Sequence, residues 1–231
     1  MKFTPSAPSC SQHKQGTEGW LEDRQKTLLT GSVVPDVCGF GYKSRTERWR
    51  LSTGKKKEET NDYLQALYDY GHEQEPYAKA RLEEELGLEE GTIQETSLWF
   101  NPAYPYLSAT PDGLFHADED LLVVELKCPQ NTQTVVVGEK KWICYIIQLA
   151  VEIMCTGASG GVLFVYHPEQ ECLMTYWPRD RELEKLILSY VDDFRAYVES
   201  DKEPPMMSGS VKRPLTSYFE RKLLDNRSLF T

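Results

Sequence analysis

Residues 121 to 128 read Leu-Leu-Val-Val-Glu-Leu-Lys-Cys, an apolar run rich in β-forming side chains. Pro129 ends it, because proline has no N–H to give to a strand ladder. Strand alternation sorts Leu122, Val124, Leu126 and Cys128 to one face and Val123, Glu125 and Lys127 to the other. A Glu and a Lys in a strand otherwise fit for a core are costly unless they are paired or bound to something. No other stretch constrains the fold as tightly.

The segment before it reads Ser108-Ala-Thr110-Pro111-Asp112-Gly113. Residues 106 to 110 are expected as a first strand and the polar residues 116 to 120 as the turn of a hairpin. That hairpin would bring Asp112 close to Glu125 and Lys127. Two carboxylates and an ammonium on one face make a site for a hard cation beside a basic group. Phosphodiester hydrolysis uses such a set: carboxylates hold Mg²⁺, the metal acidifies a water, and the ammonium steadies charge at phosphorus. The alternative is an internal salt bridge of Glu125 with Lys127, or of Lys127 with Asp112.

The length, 231 residues, suits one domain with short tails. A net charge of −10 argues against a protein that coats nucleic acid non-specifically, but leaves room for a nuclease with a local basic track. No stretch approaches the ~20 apolar residues that span a bilayer. The first ten residues lack the apolar core of a secretory signal. The six cysteines form no Cys-x-x-Cys pair, so free thiols in a reducing, intracellular compartment are expected rather than zinc or iron–sulfur ligands.

Residues 1–15 are expected as a flexible tail and 16–200 as the folded domain. A helix begins near Gly19 and carries Trp20 and Arg24, followed by Leu28-Leu29-Thr30-Gly31-Ser32. Residues 43 to 60 hold Lys43, Arg45, Arg48, Arg50 and Lys55 to Lys57, and read as a loop, either solvated or contacting a DNA backbone. Two helices follow, through Tyr63 to Tyr68 and Tyr77 to Leu86, with a break at Glu75-Pro76 because proline disfavours helical geometry before it. A strand is expected over 93–100. A helix over 139–156 carries one polar stripe, Lys141, Tyr145, Gln148 and Glu152, on an otherwise apolar cylinder, which points Gln148 into a site. Residues 161–166 and 172–177 read as a hairpin, and 180–199 as an amphipathic helix.

Pro111-Asp112-Gly113 followed by Glu125-Leu126-Lys127 resembles the PD-(D/E)xK nuclease superfamily, and within it the phage lambda exonuclease and YqaJ-type viral recombinase branch. The resemblance extends to Trp20 and Arg24 with Ser32, to Gly71-x-x-x-Glu75, and to Tyr145-x-x-Gln148. It implies an α/β fold with a mixed central sheet flanked by helices. It implies Asp112, Glu125, the Leu126 carbonyl and Glu75 around one or two Mg²⁺ ions, with Mn²⁺ able to substitute. Lys127 would act on the water and the phosphate, and Gln148 would orient Lys127. Arg24, Ser32 and Thr110 would read a terminal 5′-phosphate. The implied activity is 5′-to-3′ hydrolysis of linear duplex DNA in recombination, repair or replication. An endonuclease, a structure-specific nuclease or an inactive binding module on the same core are the alternatives. Family members also suggest a ring-shaped homotrimer and a strand-annealing partner. This chain departs from the pattern with one extra residue between Arg24 and Ser32 and with Gly31 where alanine is usual.

Residues 201–231 read as a linker and tail. Within it, Leu215, Tyr218 and Phe219 resemble a PIP box, the plug by which replication proteins dock on a sliding clamp, with Lys212 where Gln is usual. That reading implies a eukaryote, an archaeon or a virus of one, with a nuclear setting if eukaryotic or viral. The same residues would equally serve to pack the tail on its own domain.

Overall fold

The computed structural model describes residues 8–225. At its centre is strand β6 (Asp120–Lys127), antiparallel to β5 (Gly113–Ala117) on one side and parallel to β7 (Gly160–Val165) on the other; β8 (Leu173–Pro178) completes the sheet. The parallel β6–β7 pair needs a crossover, which helix α5 (Lys140–Thr156) supplies. Gly157, at φ 79°, ends α5 in the left-handed conformation that glycine takes without strain.

Alternation along β6 is as the sequence predicts. Leu122, Val124 and Leu126 pack with Phe115, Val162 and Phe164, under Ala78 and Leu82 of helix α4 (Asp62–Glu85). Val123 faces the opposite core, built on Ile146, Ile147, Leu149 and Ile153 of α5. Being covered on both faces explains why so much of β6 is apolar.

A second, smaller sheet joins β1 (Ser9–Cys10), β2 (Leu29–Thr30), β3 (Trp99–Phe100) and β4 (Leu107–Ala109) in the order β1-β3-β4-β2. Here the structure corrects the expected hairpin. Residues 107–109 belong to this small sheet, and the partner of β6 is β5, turned through Asp118 at φ 54°. The chain therefore crosses from one sheet to the other at Thr110-Pro111-Asp112. The expected strand over 93–100 shrinks to β3 and a lone bridge from Gln94 to Leu114.

Three further expectations change. Helix α4 runs unbroken through Pro76: the proline ring is exposed, and Ala78 and Leu82 anchor the following turns under β6. Residues 9–15 are tied down, since Ser9 and Cys10 pair with β3 and Ser11 Oγ donates at 2.6 Å to Oδ2 of Asp23 in helix α1 (Glu18–Gln25). Much of the basic stretch is a helix, α3 (Arg45–Ser52). Six of the seven cations of that stretch are spoken for by the acidic chain: Arg48 forks onto buried Asp36, Arg45 meets Asp193, Arg50 meets Glu203, and Lys43, Lys55 and Lys56 meet Glu58, Asp201 and Glu47.

The C-terminal segment folds as helix α7 (Gly209–Asp225) against helix α6 (Arg181–Glu199). Leu215, Tyr218 and Phe219 are at most 1% exposed. Phe219 sits edge-on to Trp142 of α5 and 6.0 Å from Trp177, and Tyr218 donates to Asp180 at 2.9 Å. The three residues are core, and the reading of them as a clamp plug is withdrawn: an apolar triplet near the surface of a marginal core is stabilised more by burial at home than by exposure.

Candidate active site

The period of two along β6 turns Glu125 and Lys127 toward α5, and the spacing of four along α5 stacks Gln148 over Glu152 on the facing side. Glu125 is 1% exposed and its Oε1 is the hub. It receives Lys127 Nζ in a very close ion pair and Gln148 Nε2 at 2.7 Å. Gln148 Nε2 also donates to Glu152 Oε1 at 3.0 Å. Asp112 is clamped beside them: its Oδ2 accepts the Leu126 N–H at 2.7 Å, and its own N–H donates to the Val124 carbonyl at 3.1 Å.

So the internal salt bridge between Glu125 and Lys127 does form. It leaves too much unexplained to be the purpose of the cluster. The Oε2 atoms of Glu125 and Glu152 are buried without a hydrogen-bond partner among the described residues. Carboxyl groups outnumber the ammonium. Burial, then repulsion from Glu125, pushes the Asp112 and Glu152 carboxyls well above the usual carboxylate range. Glu75 is raised as well, mainly by burial. Burial works against the charge on Lys127, but Glu125 and Asp112 outweigh it and hold the ammonium above its ordinary pKa.

An orphaned buried carboxylate oxygen and an uncompensated negative field are what a divalent cation relieves, and oxygen donors suit Mg²⁺. Asp112 and Glu125 fit that group. Glu75 lies near enough to feel Glu125 and Lys127, yet no three His, Cys, Asp or Glu side chains converge as a metal cage among the described residues.

Arg24 and Ser32 are brought together despite the extra residue between them. Arg24 Nη2 donates to Ser32 Oγ and to Thr30 Oγ1, each at 3.3 Å, and its guanidinium lies 5.1 Å over the Trp20 ring. Burial lowers its pKa, and no carboxylate ion-pairs with it among the described residues. A half-buried guanidinium facing two hydroxyls is a site for an anion. Thr30, in β2, is not among the expected phosphate-reading residues, whereas Arg24 and Ser32 are. Thr110 is not joined to this group: its Oγ1 is buried without a partner. Gly31 lies between Ser32 of the anion pocket and the Gln148–Glu152 pair. A Cβ on it would lie 3.7 Å from Glu152 Cγ and 3.7 Å from the Gln148 carbonyl.

One wall comes from Tyr145 and from Tyr42, of which the sequence points only to the first. Lys127 Nζ stands 5.2 Å over the Tyr145 ring, whose hydroxyl meets that of Tyr42 at 3.1 Å. Tyr42 is 76% exposed. Nothing in the local sequence marks it, because a tyrosine in a Gly-x-Lys turn has no periodic context.

Comparison with known proteins agrees with this geometry. The crystal structure of an alkaline exonuclease, LHK-Exo, from Laribacter hongkongensis is similar at 26% identity and TM-score 0.63, covering 90% of this chain and 99% of that one. Its complex with dAMP gives 26% identity and TM-score 0.61 over the same shares. A phage-related exonuclease from Haemophilus somnus 129PT shares the fold at 14% identity and TM-score 0.56, covering 78% of this chain and 97% of that one. No curated protein matches the chain. The model of the YqaJ-like viral recombinase domain matches residues 19–159, a stretch that holds Arg24, Asp112, Glu125, Lys127 and Gln148. By that match, which spans more than half of its length, the chain belongs to the YqaJ-like viral recombinase domain family.

Proposed function

We propose that this chain is a divalent-metal-dependent DNA exonuclease acting from the 5′ end of linear duplex. One observation carries the reading: a carboxyl cluster at Asp112 and Glu125, with Lys127 against it, is linked through Gln148 and Glu152 to Gly31, which packs on those two residues beside an anion pocket at Arg24, Thr30 and Ser32. An enzyme that cuts near an end needs both, one for the scissile phosphate and one for the terminal one. The similar LHK-Exo has been crystallised with dAMP, the kind of mononucleotide an exonuclease releases.

In this reading Asp112, Glu125 and the Leu126 carbonyl hold Mg²⁺, with Glu75 nearby. Bound there, the ion would acidify a water and polarise the phosphate. Lys127, kept as an ammonium, donates to phosphate oxygens and steadies the charge that builds in the transition state. The NH₂ of Gln148 is committed to Glu125 and Glu152, so its carbonyl oxygen is left to accept from Lys127 or from the attacking water. Arg24 forks onto the terminal phosphate, with Ser32 and Thr30 donating beside it.

The test is digestion of linear duplex, with and without 5′-phosphate, and of closed circles, in Mg²⁺ or EDTA. Mg²⁺-dependent loss of linear DNA alone, abolished in Lys127→Ala, is the expected result. Cutting of circles would replace the exonuclease with an endonuclease. No cleavage with any divalent ion would end the nuclease reading.

A further inference from the structure

Glu152 is a carboxyl group in the middle of α5, 1% exposed, on a helix whose neighbouring positions Ala150, Val151, Ile153 and Met154 are all core. Burying it there costs stability, and an apolar side chain of the same volume would fit the helix better. The reading above assigns it to neither metal nor substrate. Its carboxyl lies against that of Glu125 and accepts from the carboxamide of Gln148 at 3.0 Å.

We propose that Glu152 is a positioning residue that fixes the orientation of the Gln148 carboxamide. The inference rests on the nuclease reading for its effect on rate, but its geometry stands apart from it. A carboxamide has an NH₂ with two donors and a carbonyl acceptor, and the two ends are nearly equal in shape. Glu125 Oε1 at 2.7 Å takes one N–H, and Glu152 Oε1 takes the other. With Glu125 Oε1 accepting on one side and Glu152 Oε1 on the other, this flip of the amide satisfies both contacts. The carbonyl oxygen is thereby pointed away from both carboxyls, free to receive a proton donor in the site. With Glu152 gone, one N–H is orphaned and the amide loses its reason to hold that flip.

The test uses the full chain as wild type, E152M, E152Q, Q148M and the E152M/Q148M double variant. E152M is expected to lower kcat about tenfold, in the range of outer-shell substitutions, with KM for DNA within about twofold of wild type. E152Q, which keeps an acceptor for the Gln148 N–H, should stay within about threefold of wild type. E152M should add no further loss to Q148M, since both break the same contact. Its melting temperature should hold or rise, because a buried carboxyl has been removed. Wild-type kcat in E152M, or losses that multiply in the double variant, would overturn the proposal.

Amide NMR of ¹⁵N-glutamine-labelled protein separates the two readings. The Gln148 NH₂ signals should shift or broaden in E152M and stay in place in E152Q. Unchanged signals in E152M sink the positioning role whatever the activity. Shifted signals in a chain that cuts no DNA sustain the positioning role and end the nuclease reading instead.

Discussion

Arg24 and Ser32 meet at 3.3 Å although they lie on opposite sides of the turn between α1 and β2. That turn is pinned by Thr27, whose Oγ1 bonds the Arg24 carbonyl at 3.2 Å and Ser108 Oγ at 2.6 Å. Arg24→Ala is therefore expected to remove the preference for 5′-phosphorylated ends, by about tenfold or more for a lost charge-assisted fork, while phosphate-free ends are digested at near the wild-type rate. Competition between the two substrates in one tube reads the ratio directly. An unchanged ratio places the terminal phosphate elsewhere.

Lys127 is held charged by Glu125 and Asp112 against the cost of burial. Replacing it with Met, of similar length, should cut kcat by about a hundredfold or more while leaving DNA affinity within a few-fold. Single-turnover rates with binding measured in Ca²⁺ separate the two effects. A loss seen in affinity alone would make Lys127 a docking cation.

Stability should respond to pH in a way that identifies the carboxylate cluster. Asp112 and Glu152 have folded pKa values raised well above 3.8 and 4.5, so the metal-free folded state keeps protons that the unfolded chain has already released. Stability then falls as pH rises from about 4 through the raised values, and it is fullest below that window. A cation that displaces those protons reverses the trend. Thermal melts in EDTA should decline from pH 5 to pH 8, and added Mg²⁺ should raise the midpoint more at pH 8. A gain from Mg²⁺ that is flat or larger at pH 5 would exclude Asp112 from the ion.

The C-terminal helix should behave as part of the core. Phe219→Ala is expected to destabilise the chain by about 3–5 kcal/mol, the usual cost of emptying a buried aromatic site. Tyr218→Phe, which removes only the hydroxyl bonded to Asp180, should cost about 1 kcal/mol. Urea unfolding measures both. A neutral Phe219→Ala would mean that α7 leaves its groove in solution, and would reopen the role of its apolar face.

Much of this site was legible because its chemistry is paired with periodicity. Glu125 and Lys127 share a face by the period of a strand, and Gln148 and Glu152 by the turn of a helix, so each pair could be placed before the fold was known. The meeting of the two pairs could not, since it depends on the β6-α5-β7 crossover bringing one face of α5 down on β6. Local pattern misled at Thr110, where an apparently continuous strand changes sheets, and at Leu215, where an apolar triplet reads the same whether it faces a partner or its own core. Tyr42 had no periodic neighbour to reveal it.

The change of sheets at Thr110-Pro111-Asp112 sets a ruler into the molecule. The anion pocket hangs from β2, in the small sheet, and the carboxylates from β5 and β6, in the large one. In the proposed exonuclease, the offset between terminal phosphate and cleaved bond would thus be a property of how two layers abut, not of either site alone. Substitutions within one layer tune grip or chemistry, whereas a residue inserted at the junction would alter which bond is reached, a change that appears as product length rather than as rate.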